Sequence, residues 1–144
     1  MYLRQDMWKL ALCVISLHIG FSDGLLGIGS SQSVDVQGTL TCNGQPASGI
    51  LVKLYDSNTL TIDNLLATGN TNSNGGFDLT GKINDITSMD PKVDIFHNCD
   101  NSALRCSKKL VINVPQSAIN GGTYNIGTIE LANTFQGQSH DCIH

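Results

Sequence analysis

The chain is 144 residues long, enough for one domain of ordinary size and too short for two catalytic lobes. Eight Lys and Arg stand against twelve Asp and Glu, a net charge of -4 with 14% of residues charged, which excludes the clustered cations of a nucleic-acid interface. Fifteen Gly and a 40% apolar fraction, set among many Asn, Ser and Thr, indicate an ordered, turn-rich, all-β domain rather than disorder.

The first element has the form of a secretory signal. Arg4 and Lys9 precede an uncharged run from Leu10 to Leu17, and small residues follow at Gly20, Ser22 and Gly24. The run is far shorter than the ~20 residues a membrane span needs, so no transmembrane segment is expected. We expect residues 1–24 to be removed, with cleavage falling between residues 20 and 33, and the domain to occupy 33–144. Cys13 leaves with the signal. Cys42, Cys99, Cys106 and Cys142 remain, an even number that reads as two structural disulfides in an oxidising compartment. Three pairings are open, and the short stretch between Cys99 and Cys106 favours joining those two, with Cys42 and Cys142 clamping the chain ends. A zinc site built on His97, Cys99 and Cys106 is disfavoured, because the spacing matches no finger or ribbon.

From Val34 to Cys42 apolar and polar residues alternate, the signature of a half-buried strand. Asn43-Gly44 is a hairpin turn signal, reinforced by Pro46. Ile50 to Asp56 is the next strand, with Lys53 and Tyr55 in the outward phase. Leu65 to Thr68 is a short strand after a loop. The Asn70 to Gly76 cluster reads as a turn: it mimics the start of a calcium loop, but the first place is Asn70 and the twelfth is Gly81, where carboxylates are required. Phe77 and Leu79 restart alternation, and Gly81 to Pro91 reads as a longer connection. Lys92 to Cys99 places Val93, Ile95 and His97 on one face and Phe96 on the other. Leu110 to Val114 is a further strand, and Thr123 to Leu131 is the last, with its phase changing at Gly127, a candidate bulge. Seven or eight short strands without long helices define a disulfide-stabilised two-sheet β-sandwich.

The same segments resemble those of the nematode transthyretin-like family. Val36 to Pro46, Val52 to Asp56, Asn74 to Gly81, the stretch Pro91 to Cys99 ending in His97-Asn98-Cys99, Ile112 to Pro115, Tyr124 to Leu131 and the terminal Cys142 carry the resemblance over nearly all of the mature chain. It implies a secreted, transthyretin-like β-sandwich. Asn72 and Asn74 stand where an acidic turn residue is common, and Phe96 where a tyrosine is frequent. The hydrolases of the wider superfamily carry a C-terminal Tyr-Arg-Gly-Ser, whereas this chain ends in His140 to His144.

No nucleophile elbow, carboxylate pair or phosphate loop is present in the sequence, so we expect a secreted binding protein without catalysis or cofactor. Its ligand class is a protein, a lipid headgroup or a small apolar molecule. Tyr55 and Phe96, in outward phase, and the basic group Arg105, Lys108 and Lys109 are the candidate contact residues. The absence of any Asn-x-Ser/Thr sequon leaves every face open. Two alternatives are weighed: a carrier with a site between subunits of a homodimer, and a small hydrolase built on His97, Asp100 and Ser102 with Asp94 nearby. His140 and His144, flanking Cys142, are a further pair of metal-capable side chains.

Overall fold

In the computed structural model, which describes residues 29–101 and 106–144, the alternating segments form nine strands in two sheets. Seven are long: β1 (Ser30–Cys42), β3 (Leu51–Asp56), β4 (Asn64–Asn70), β5 (Gly76–Asp85), β6 (Pro91–His97), β7 (Ser107–Asn113) and β8 (Thr123–Glu130). Two are short, β2 (Gln45–Pro46) and β9 (Ser139–Asp141), and among the described residues a 3₁₀ turn covers Gln116–Ala118. The expected signal segment, residues 1–24, falls within residues 1–28, which with the stretch 102–105 lie outside the described residues.

Strand β1 is the centre of the first sheet. Antiparallel β5 lies along one edge, with the β2 return beyond it, and β8 runs parallel along the other. The second sheet has the order β4-β3-β6-β7-β9, antiparallel throughout. Alternation in β1, β3 and β6 sends Val36, Leu40, Val52, Leu54, Val93 and Ile95 into the space between the sheets, where each is 0% exposed. Leu131, just past β8, is equally buried. Each such side chain contributes about 1.5–3 kcal/mol by leaving water.

Two glycines explain departures from simple alternation. The register of β8 against β1 shifts between Gln37 and Thr39, and Gly127 has φ of 80° at the extra residue, the bulge expected from the phase change. The bulge lets Tyr124, Ile126 and Ile129 all pack against the core. Gly81, by contrast, corrects the expected connection from Gly81 to Pro91: β5 runs on to Asp85. A Cβ at Gly81 would approach Leu66 Cβ at 2.8 Å and Leu54 Cδ2 at 2.9 Å, so the residue is a point of close packing within the strand rather than its end.

Both disulfide bonds lie at one end of the sandwich, and their pairing corrects the expected Cys99–Cys106 bridge. Cys42 joins Cys99, and Cys106 joins Cys142. The first ties the end of β1 to the loop after β6, and so one sheet to the other. The second returns the C-terminal tail to the start of β7, where β9 pairs Asp141 with Ser107. The short loop between Cys99 and Cys106 is thus closed by strand pairing, and each cysteine finds its partner across the fold.

The turn at this end is held by an acid. Asn43 and Gly44, with φ of 53° and 76°, turn β1 into β2. Glu130 accepts hydrogen bonds from the backbone N–H groups of Asn43, Gly44 and Ala132 at 2.8, 2.8 and 2.9 Å, and from Thr41 Oγ1 at 3.0 Å. Those donors pull its pKa down to about 2, the Ala132 and Gly44 amides leading. At the other end, Gln32 is 6% exposed; its Nε2 donates to Thr87 O at 2.7 Å and its Oε1 accepts from Met89 N at 2.7 Å. There Leu60, Ile62 and Ile86 project from loops at 95%, 89% and 74% exposure.

Candidate functional site

Cross-strand pairing places Lys53 and Tyr55 of β3, Asp94 and Phe96 of β6, and Lys109 and Val111 of β7 on the outer face of the five-stranded sheet. Of the expected contact residues, Tyr55 and Lys109 are therefore together. Phe96 shares their face but is only 5% exposed, which corrects its reading as an exposed aromatic. The His144 ring stacks on it at 5.1 Å and 22°, and the Lys53 and Lys109 ammonium groups lie 5.5 and 5.7 Å from its centroid. The tail that the Cys106–Cys142 bond returns to the sheet is what covers it. Periodicity gives a side chain's direction but not what folds back over it.

The basic group divides for the same geometric reason. Lys108 and Lys109 are consecutive in a strand and point to opposite sides. Lys109 Nζ meets Asp94 Oδ2 at 2.8 Å, an ion pair whose carboxylate side chain is 2% exposed. Asp94 Oδ1 is buried with no partner among the described residues. Lys92, over the Tyr55 ring at 5.7 Å, pairs with Asp63 at 2.5 Å. Lys53 has no carboxylate partner among the described residues. Lys108 instead turns inward beside His97 and donates to Cys99 O at 3.1 Å and Asp100 O at 3.0 Å. Arg105 lies outside the described residues.

The His97 triad does not assemble. The imidazole is 1% exposed and faces inward, whereas Asp94 is on the other side of the same strand. Asp100 Oδ1 is engaged by Asn43 Nδ2 at 3.0 Å, and Ser102 lies outside the described residues. Gln138 Nε2 and His97 Nε2 are hydrogen-bonded at 3.2 Å, and His97 Nδ1 has no partner among the described residues. Burial, assisted by the Lys108 charge, lowers the imidazole pKa to about 4, so the ring is neutral in the fold. His140 faces Lys108 across the strand pair while His144 covers Phe96, so the two terminal imidazoles diverge. Cys42, Cys99 and Asp100 bring their donor atoms within 4.8 Å, yet the two sulphurs are bonded to each other and offer no thiolate.

The acid response separates these groups. His97 is neutral when folded, so its contribution is complete above pH 6.5 and is lost as pH falls toward 4. Glu130 is ionised when folded, so its contribution is complete above pH 4.5 and is lost as pH falls toward 2. Thermal melts of the oxidised protein should therefore show Tm falling in two stages on acidification. His97→Gln should flatten the upper stage and Glu130→Gln the lower; an unchanged slope in either variant contradicts the assignment.

Residues that periodicity singles out only as outward-facing prove to share a hollow. On the outer face of the four-stranded sheet, Gln37 and Thr39 of β1, Asp78 of β5, Asn125 of β8 and the Asn70 and Asn72 side chains line an open depression of about 500 Å³. The Asn70 to Gly76 segment is a turn, as expected: Asn72 Oδ1 accepts from Asn74 N and Gly76 N, both at 2.9 Å.

Two layers of mainly antiparallel strands, tied by disulfides at one pole and with no catalytic constellation among the described residues, define a transthyretin-like β-sandwich. The family model described as "TTR-52: Transthyretin-like family" matches residues 37–115. Transthyretin-like protein 5 of Caenorhabditis elegans is 44% identical over 123 residues, covering 81% of this chain and 88% of that protein. Transthyretin-like protein 33 of the same organism is 39% identical over 142 residues, 92% of this chain and 96% of its own. Transthyretin-like protein 2 is 37% identical over 128 residues, covering 81% and 86%. Among solved structures, a 9R-lipoxygenase from Cyanothece aligns at a TM-score of 0.45 and 18% identity, over 69% of this chain and 16% of that much longer one. The chain belongs to the nematode transthyretin-like family. Members of that family are typically secreted and generally non-catalytic, and no catalytic machinery is evident among the described residues of this chain.

Proposed function

We propose that the protein is secreted and recognises an acidic patch on an extracellular protein through the outer face of its five-stranded sheet. The observation that carries this reading is Lys53. It stands on a rigid strand beside Tyr55, with no carboxylate to neutralise it among the described residues, while Val111 across the face is 40% exposed. Lys92 and Lys109 keep their ammonium groups on the same face, although each already has an acid partner. A cation with an unused charge, an aromatic and an aliphatic side chain on a preorganised sheet suit a protein partner bearing carboxylates. Among the described residues no helix is long and apolar enough to cross a membrane.

Release of the signal is expected to leave β1 whole. The strand begins at Ser30, and Gln32 fills buried hydrogen bonds, which supports cleavage ahead of Ser30 within the 20–33 window. N-terminal sequencing of material from the medium should read a first residue no later than Ser30; loss of Gln32 refutes this.

The surface is tested by cross-linking the oxidised protein to its captured extracellular partner and comparing Lys53→Glu and Tyr55→Ala. Both variants should stay folded, Lys53→Glu with a lowered Tm because it faces Asp94 across β3 and β6, and both should lose binding, with hydrogen-exchange protection by the partner falling on β3, β6 and β7. Unchanged binding in both variants, or protection confined to the other sheet, overturns the proposal.

A further inference from the structure

The geometry points to a second site, on the opposite sheet, for a neutral polyhydroxylated ligand: one or two sugar units of a glycan. The hollow lined by Gln37, Thr39, Asn70, Asn72, Asp78 and Asn125 has the volume of a small-molecule site, about 500 Å³ against a common range of about 300–1,000 Å³. Its floor is low because β1 and β5 meet there at the pair Thr39 and Gly76. A Cβ at Gly76 would press on Asn72 Nδ2 at 3.2 Å, so any larger residue would fill the space.

Hydrogen bonds inside the protein fix which atoms face outward. Asn72 and Asn125 each use Oδ1 on backbone N–H groups, at 2.9 Å to Gly76 and 2.8 Å to Gly127, which leaves their Nδ2 groups to donate. Asn70 uses Nδ2 on Gly49 O at 3.3 Å, which leaves its Oδ1 to accept. The side chains of Gln37, Thr39 and Asp78 make no hydrogen bond to any described residue, and supply an amide, a hydroxyl and a carboxylate. The β8 bulge at Gly127 fixes the Asn125 amide, so part of this array is set before any ligand arrives.

That mixture selects among ligand classes. Sugar hydroxyls both donate and accept, and so can satisfy fixed amide donors beside a carboxylate and a carbonyl. An anion would meet Asp78 with no Lys, Arg or His in the lining. A divalent cation would find a single carboxylate, too little charge for a dedicated site. An apolar ligand would strip water from six polar side chains without replacing their hydrogen bonds. An extended peptide pairs with the edge of a sheet, whereas this hollow lies on its face.

NMR titration of the oxidised full chain with glucose, galactose, mannose, N-acetylglucosamine, maltose and chitobiose tests the site, followed by a neutral-glycan array. At least one sugar should shift the side-chain amide signals of Gln37, Asn72 and Asn125 saturably. Gln37→Ala and Asp78→Ala should each weaken it by at least about tenfold with Tm unchanged, since neither side chain bonds to a described residue. Lys53→Glu should bind the same sugar as the parent does, which separates this site from the proposed protein-binding face. Absence of saturable shifts with every sugar and glycan overturns the proposal, as do normal binding by both variants or displacement of the sugar by inorganic phosphate.

Discussion

Replacing Cys42 and Cys99 together by alanine should cost about 4 kcal/mol of folding free energy, measured by urea denaturation under oxidising conditions. The bond closes a span of 57 residues, and constraint of the unfolded chain over such a loop is worth about that amount. Against a typical domain stability of about 5–15 kcal/mol, the loss is a large share of the whole. The bond also ties the two sheets at the pole where the Asn43 amide reaches Asp100, so its removal acts on the folded state as well. Removing Cys106 and Cys142, whose span is 36 residues, should cost a similar amount but leave a different mark: β9 releases and Phe96 becomes accessible. A loss under about 1 kcal/mol for the first pair would show that packing alone closes the sandwich.

Lys109→Ala should be the most damaging single surface substitution, lowering stability by about 3 kcal/mol. Its partner Asp94 sits at 2% exposure with Oδ1 already unpaired, so loss of the ammonium leaves a buried carboxylate without compensation. Breaking one side of a buried pair costs about 3–5 kcal/mol, and the partial exposure of Lys109 places this case at the lower end. Lys53 faces Asp94 across β3 and β6 but makes no ion pair with it, its ammonium lying 5.5 Å from the Phe96 centroid, so it does not already replace Lys109. The double substitution Asp94→Leu with Lys109→Met should recover most of the loss, because it removes the charge together with its partner. Equal stability of Lys109→Ala and the parent protein in urea would contradict this account.

Most of the strands were legible because burial on one face imposes alternation, and β1, β3 and β6 alternate cleanly. The Gly127 bulge was legible for the same reason: a change of phase within one apolar run requires an extra residue. Gly81 misled, since a glycine demanded by close packing under Leu54 and Leu66 looks in sequence like a glycine that ends a strand. The cysteine pairing was hidden because it follows from which strand ends meet in space, and loop length says little about that. Phe96 was placed on the correct face, but its cover comes from His144 at the far end of the chain. The hollow left the faintest trace. Its residues come from four separate segments, and the sequence signal is only an outward phase in β1, β5 and β8 that carries amides and hydroxyls where lysines are common.

The placement of β1 has a consequence for how the molecule is made. This first strand needs β5 on one side and β8 on the other, and Asp35 pairs with Thr123 near the far end of the chain. In the five-stranded sheet the β3, β4, β6 and β7 pairings join strands close in the order of synthesis, and only the short β9 is added from the chain's end. The four-stranded sheet differs, since its central strand keeps a bare edge until almost the whole polypeptide has emerged. Such long-range parallel pairing is slow to form, and the waiting edge is open to other nascent chains in the meantime. Folding of this small domain is therefore timed by its last long strand, and its period of greatest exposure to aggregation ends only when β8 arrives.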